Sequence, residues 1–255
     1  MPKQHVITIR VDGKKYPIAL NGMSATNYRS ITASLAGCLK SKKVKARQAI
    51  AETFELAVDL CPEANHSDIW CYVLYRTYLT VAAPQSWVRT SGEGFELFLC
   101  RYYNRLLGPK GIELVPLYDR NARKAALVAM GIRPGMGGAK LDISVSAAKA
   151  TGEKKIIGGI HAKVSLAERI SDDAPVSKVM IDGGFWSPIC TLDVKTYPPR
   201  DLTNRGELGT HEKPSDKRRY IETEGLFSAC YSYNQRTTPS EGETESGRRI
   251  YRLTF

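Results

Sequence analysis

Lys140-Leu141-Asp142-Ile143-Ser144-Val145 and, past a turn, Ile156-Ile157-Gly158-Gly159-Ile160-His161-Ala162-Lys163 are the segments on which the reading of this chain turns. Both are short and apolar, and each reads as a strand, with a hairpin-turn signal at Thr151-Gly152-Glu153-Lys154 between them. The first carries one acid at its edge, Asp142, and the second carries a lysine 21 positions on, Lys163. A carboxylate and an ammonium on neighbouring strands can hold a divalent metal and a scissile phosphate between them. The carboxylate binds Mg2+, while the lysine orients or deprotonates an attacking water and offsets charge building on the phosphate. The plainer alternative is an acid that ends a strand and a solvated lysine.

Downstream, Leu166, Ile170 and Val179 have helical spacing from about Ser165 toward Met180, with Pro175 as a break and Gly183-Gly184 as the end. A buried strand follows, Ile189–Lys195. The tail after Pro198-Pro199 is polar and loop-rich, with a final strand over Arg249–Phe255. Upstream, residues 85–108 read as one apolar helix through Trp87, Phe95, Phe98, Leu99, Tyr102 and Leu106, stopped by Gly108-Pro109. Gly92 and Gly94 near its start suggest close approach to another group. Glu96 beside Phe95 is either a functional carboxylate or an acid favoured by the helix dipole. A strand at Ile112–Leu117 and a helix at Asn121–Met130 lead to the loop Gly131–Gly138, which is not a nucleotide-phosphate loop because no Gly-Lys-Ser/Thr follows.

The first part of the chain differs in composition. Residues 1–50 hold ten basic side chains and one acid, Asp12, out of a net charge of +11 for all 255 residues. Lys40, Lys42, Lys43, Lys45 and Arg47 form the densest run. Such a lobe suits a polyanion, because each neutralised phosphate releases condensed counterions. His5–Val11 and Lys15–Leu20 flank Asp12-Gly13 as a hairpin. Helical spacing then runs from Ser24 to Pro62, and Ser67-Asp68 reads as the cap of a helix over Ile69 to Val81. Residues 1–84 are thus expected as a basic, mostly helical lobe, and 85–255 as the core. No stretch has the apolar length of a membrane span and no signal peptide leads the chain, so a cytoplasmic protein is expected. The six cysteines lack zinc-ligand spacing.

Strand with Asp142, strand with His161-x-Lys163, helix, strand, preceded by a long helix, resembles the β-β-α-β centre of the PD-(D/E)XK nucleases, and with the helix before it the type II restriction endonucleases. The resemblance covers residues 85 to 195. It implies an α+β fold: a central mixed sheet flanked by helices. It also implies a metal-binding Asp at Asp142, a catalytic lysine at Lys163, and a carboxylate from the preceding helix at Glu96, so that Asp142 and Glu96 hold Mg2+. The residue two before the lysine should be acidic; here it is His161, which can bind a metal or orient water but brings no negative charge when neutral. Glu96 or Glu168 is the candidate to supply that charge. Leu192-Asp193-Val194-Lys195 is a literal D-x-K and stays open as a second centre.

Implied with the family are double-stranded DNA as substrate, 5′-phosphate ends and a homodimer on a palindromic site. Candidate DNA contacts are Glu168, Arg169 and Lys178, then Lys217, Arg218 and Arg219, and further on Asn234, Gln235 and Arg236. Competing classes are a structure-specific repair nuclease with the same core and a non-catalytic nucleic-acid-binding protein.

Overall fold

A computed structural model describes residues 3–133, 140–167, 169–194 and 202–255. Strands β1 (Gln4–Val11) and β2 (Lys14–Asn21) form the expected hairpin. Its turn residues Asp12 and Gly13 both have positive φ, 48° and 77°, which is what the Asp-Gly pair tolerates. Ile7, Ile9, Ile18 and Leu20 alternate onto the buried face. Ser24 caps helix α1 (Ala25–Ser41) by accepting from Asn27 N, and α2 (Ala46–Leu60) follows after a short connection.

The next helical stretch departs from expectation. Asn65, not Ser67, is the cap, and it precedes α3 (His66–Asp68), a π-helical segment (Ile69–Leu74) and α4 (Tyr75–Leu79). Ser67 instead turns its hydroxyl onto the Leu192 carbonyl, and the cap falls two residues earlier. Helix α5 (Pro84–Leu107) runs as read, with Pro84 at its first turn. Of its two glycines, only Gly94 meets a neighbour: a Cβ there would press on Ile50 of α2 and lie 3.3 Å from the Arg47 carbonyl oxygen.

The central sheet has six strands in the order β3 (Ile112–Pro116), β4 (Ile143–Ala148), β5 (Lys154–Lys163), β6 (Ile189–Thr191), β7 (Cys230–Ser232) and β8 (Ile250–Arg252). The pairs β3–β4 and β4–β5 are antiparallel, whereas β5 to β8 are parallel. The sheet is mixed, with helix α6 (Arg120–Ala129) joining β3 to β4 and α7 (Arg169–Asp182) crossing between β5 and β6. The β-β-α-β order is therefore present.

Two local expectations fail. Pro175 lies inside α7 without ending it, since one lost donor is outweighed by the buried face of Ile170, Ala174, Val176 and Met180. Strand β6 stops at Thr191, and Asp193 beyond it takes φ 48°, although Leu192 N and Val194 N still donate to the carbonyls of Lys163 and Val164. Beyond it, α8 (Asp216–Glu222) and the short β7 and β8 complete the fold. The largest buried apolar cluster draws residues from both sides of position 84, from Ile7 to Tyr233. Phe255 stacks on Tyr233 with ring centroids 4.0 Å apart and also meets Phe54 and Phe98.

Candidate active site

Asp142 sits one residue before β4, where its backbone is tied on both sides. Its carbonyl accepts from Leu117 N at 2.8 Å and its N–H donates to Ile160 O at 3.3 Å. This aims the carboxylate along the sheet edge toward the end of β5. There Oδ2 accepts from Ala162 N at 3.0 Å and from Lys163 Nζ at 2.7 Å. The two residues singled out in the sequence are thus in contact.

The same ammonium meets a second carboxylate, Asp173 Oδ2, also at 2.7 Å. Asp173 comes from α7 and is 3% exposed, whereas its neighbour Asp172 faces out to Lys140. Strand period places His161 and Lys163 on one side of β5, and His161 Nδ1 lies 3.4 Å from Asp173 Oδ2. The other imidazole nitrogen meets Ser187 Oγ at 3.1 Å, and Ser187 meets Ser177 Oγ of α7 at 2.8 Å. His161 is fully buried and packs edge-on against Phe227. A buried polar cluster therefore runs from Ser177 through Ser187 to His161 by hydrogen bonds, and on through Asp173 to Lys163 and Asp142 by ion-pair contacts, with no well-formed hydrogen bond at His161 Nδ1 or Asp173 Oδ2. Such a cluster fixes each member's geometry because unpaired members would be costly in a dry interior.

The electrostatics follow from this. Burial works against the Lys163 ammonium, but the carboxylates of Asp142 and Asp173 outweigh it and hold its pKa well above the usual lysine range. Burial likewise opposes the Asp173 carboxylate, yet His161 and Lys163 together pull its pKa down to about 2. Glu96, on α5, goes the other way. Burial first, and the Asp142 charge second, push it up to about 8 against the opposing pull of Lys163 and Arg123. Its Oε2 is buried with no hydrogen-bond partner. An unpaired buried carboxyl oxygen next to an Asp/Lys pair marks a place where a cation or a water would be favoured.

Around Glu96 the neighbours are basic and aromatic. Glu93, one turn earlier, binds Arg47 at 3.0 Å and Arg89 at 2.9 Å. The Arg47 guanidinium lies 3.9 Å over the Tyr118 ring.

The remaining sequence candidates fall elsewhere. Glu168 and the side chain of Arg169 lie outside the described residues, as does Lys195. Asp193 is sealed in: Oδ1 accepts from Glu207 N and Oδ2 from Thr237 Oγ1, each at 2.6 Å, and burial raises its pKa to about 6. A Cβ on Gly206 would overlap that carboxylate. Asp193 organises a loop, with its carboxylate oxygens taken up by Glu207 N and Thr237 Oγ1. Arg218 is a correction, for its side chain is 1% exposed and its donors go to Glu222 and the carbonyls of Leu208, Gly209 and Thr238. Its neighbours Lys217 and Arg219 pair with Glu207 and Asp216, and Lys178 pairs with Asp182 on the outer side of α7. Asn234, Gln235 and Arg236 stitch the tail to the first lobe: Asn234 meets Asn65, Gln235 donates to Glu63 O and Ala64 O, and Arg236 clamps Asp68 bidentately. Asp173 was not singled out in the sequence. Its one signal is an acid ten residues past Lys163 on the inner side of the following helix.

The chain thus has a mixed sheet, a lysine held between two carboxylates at the end of a β-hairpin, and a buried glutamate on the preceding helix that feels both the Asp142 and the Lys163 charge. Comparison with known proteins makes this particular. A family profile described as BsaWI restriction endonuclease type 2 matches residues 119–255. The type II restriction enzyme AgeI of Thalassovita gelatinovora is 46% identical over 247 residues, covering 92% of this chain and 88% of the relative. A crystal structure of the specific restriction endonuclease AgeI–DNA complex superposes with a TM-score of 0.91 at 43% identity, over 98% of this chain and 94% of that one. The chain belongs to this family of type II restriction endonucleases.

Proposed function

We propose that the protein hydrolyses double-stranded DNA at a specific sequence, with Mg2+ as cofactor, leaving 5′-phosphate ends and acting as a homodimer. The observation that carries this reading is the Lys163 ammonium bridged between Asp142 and Asp173, with the unpaired Glu96 oxygen beside them. The donor set fits the ion. Among the described residues no three His, Cys, Asp or Glu side chains stand at metal-holding geometry, and Mg2+ does not require them. It keeps several waters and uses one or two carboxylates plus substrate phosphate. Asp142 and Glu96 are the two we assign, with Asp173 next to them as the remaining charge. When bound, the ion lowers the pKa of a coordinated water and offsets charge on the phosphate.

The chain's own residues do the rest. Lys163, kept as an ammonium by two carboxylates, donates to the attacking water and to a non-bridging phosphate oxygen; it is not the base. Asp142 and Asp173 fix where that ammonium points. His161 serves as a positioning residue for Asp173 and makes no contact with DNA. The water supplies the new P–O bond, the bond from phosphorus to the 3′-oxygen breaks, and a proton ends on the 3′-oxygen. Palindromic DNA matches a two-fold dimer, so that each protomer cuts one strand.

Digestion of a long DNA of known sequence, with Mg2+ and with EDTA, tests the reading. Discrete fragments that need the metal and carry ligatable 5′-phosphates are expected. A smear, or cleavage in EDTA, would overturn it.

A further inference from the structure

The basic run at the α1–α2 connection sits far from the catalytic strands in sequence, yet the structure sets it against the catalytic helix. Lys40 lies in the last turn of α1, Lys45 is the residue before α2, and Arg47 lies in the first turn of α2. Arg47 holds Glu93 of α5, and its carbonyl faces Gly94, where any side chain would collide with Ile50. Gly94 is two residues from Glu96. The lack of a Cβ at position 94 thus lets the start of α2 approach the segment that carries the proposed metal ligand. Arg47 also covers the Tyr118 ring, and Arg123 of α6 feels the Glu96 charge, so the rim of the site is basic on that side. Lys45 lies two residues from Arg47, at most about 7 Å further along the chain.

The charge there is uncompensated. No acid occurs between Asp12 and Glu52. Lys40, Lys43 and Lys45 are exposed, and none has a carboxylate partner among the described residues, whereas Glu93 already engages both Arg47 and Arg89. A cluster of exposed ammonium groups on the connection that leads into Arg47 fits a phosphate backbone, whose charges recur about every 3.4 Å of helix axis on each strand. Resting on the reading above, we infer that the α1–α2 connection grips the DNA backbone outside the recognition sequence. It engages phosphates that flank the base pairs at the cut. Contacts of this kind add affinity and carry no sequence information.

The test uses two duplexes centred on the site mapped from the digestion fragments, one with about two flanking base pairs per side and one with about twelve. Binding is measured by fluorescence anisotropy against salt concentration, in Ca2+ so that the complex is followed without turnover. The full-length wild-type protein is compared with the Lys40→Gln/Lys43→Gln/Lys45→Gln variant, and matching thermal melts confirm that the surface changes leave the fold intact. The wild type should bind the long duplex more tightly and with a steeper salt slope. The variant should lose about two to three from that slope, close to 0.9 for each phosphate contact removed, and bind the short duplex as the wild type does. An unchanged slope on the long duplex, or an equal loss on both, would overturn the inference while leaving the nuclease reading standing. A wild type that yields no discrete fragments and binds neither duplex would overturn both.

Discussion

At the residue scale the centre is a problem of like charges. Asp142 and Asp173 approach one another only because Lys163 stands between them, and His161 supports the second of the two. Asp173→Asn keeps the shape and removes one negative charge. Cleavage should fall by about 10²–10³-fold with the melting curve little changed, the scale usual for a preorganised electrostatic group; wild-type rates in that variant would remove Asp173 from the centre. Asp193 gives a contrasting case. Its folded pKa, about 6, lies above the usual carboxyl value, so the folded protein holds a proton that the unfolded chain has released. Stability associated with Asp193 is therefore full below about pH 4 and is lost as pH rises toward 6, on the order of 3 kcal/mol in all. Denaturant titrations at pH 4, 5 and 7 should show that fall in the wild type and a flatter profile in Asp193→Asn; identical profiles would contradict the assignment. Asp142 and Lys163 were legible because each sits at the edge of a short apolar strand. Asp173 was not, since an acid early in a helix reads equally well as a partner of the helix dipole. The D-x-K at Asp193 stood as an alternative centre because the motif does not report the positive-φ backbone that Asp193 takes there.

Elements with strong local signals were readable: the Asp12-Gly13 hairpin, the helical start near Ser24, the full length of α5 and the order β4, β5, α7, β6. The final strand β8 was read within Arg249–Phe255, but its parallel neighbour β7 was hidden. Three residues are too few for an alternating pattern to show. Helix α8 shows what periodicity cannot say about a basic run, namely which member turns inward. Lys217-Arg218-Arg219 looks like a surface patch, but Arg218 is the post around which the segment folds, with Glu222 and three carbonyls on its donors. Arg218→Ala leaves these groups unpaired and should cost about 3–5 kcal/mol. Arg219→Ala, at an exposed ion pair, should stay within about 0.5 kcal/mol. Urea unfolding of the two variants separates them, and equal stabilities would return Arg218 to the list of candidate DNA contacts.

For the whole molecule, the basic lobe, the mixed sheet and the tail share one apolar core cluster, with Phe255 packed against residues of both the first lobe and α5. The general prospect of a basic, helical first lobe was legible from charge and periodicity, but its contact with α5 depends on Gly94 and Arg47 meeting in space. On a palindromic site the complex should contain two 28.3 kDa chains per duplex. Sedimentation with a site-bearing duplex in Ca2+ reads this directly, and one chain per duplex at saturation would rule out the dimer.

The most direct measurement on the centre itself is single-turnover cleavage by Lys163→Ala alongside Asp193→Asn, with DNA binding followed in parallel. Cleavage by Lys163→Ala should drop by about 10²–10⁴-fold with binding largely kept, while Asp193→Asn still cuts. Normal cutting by Lys163→Ala together with a dead Asp193→Asn would contradict the assignment of the centre to Asp142 and Lys163.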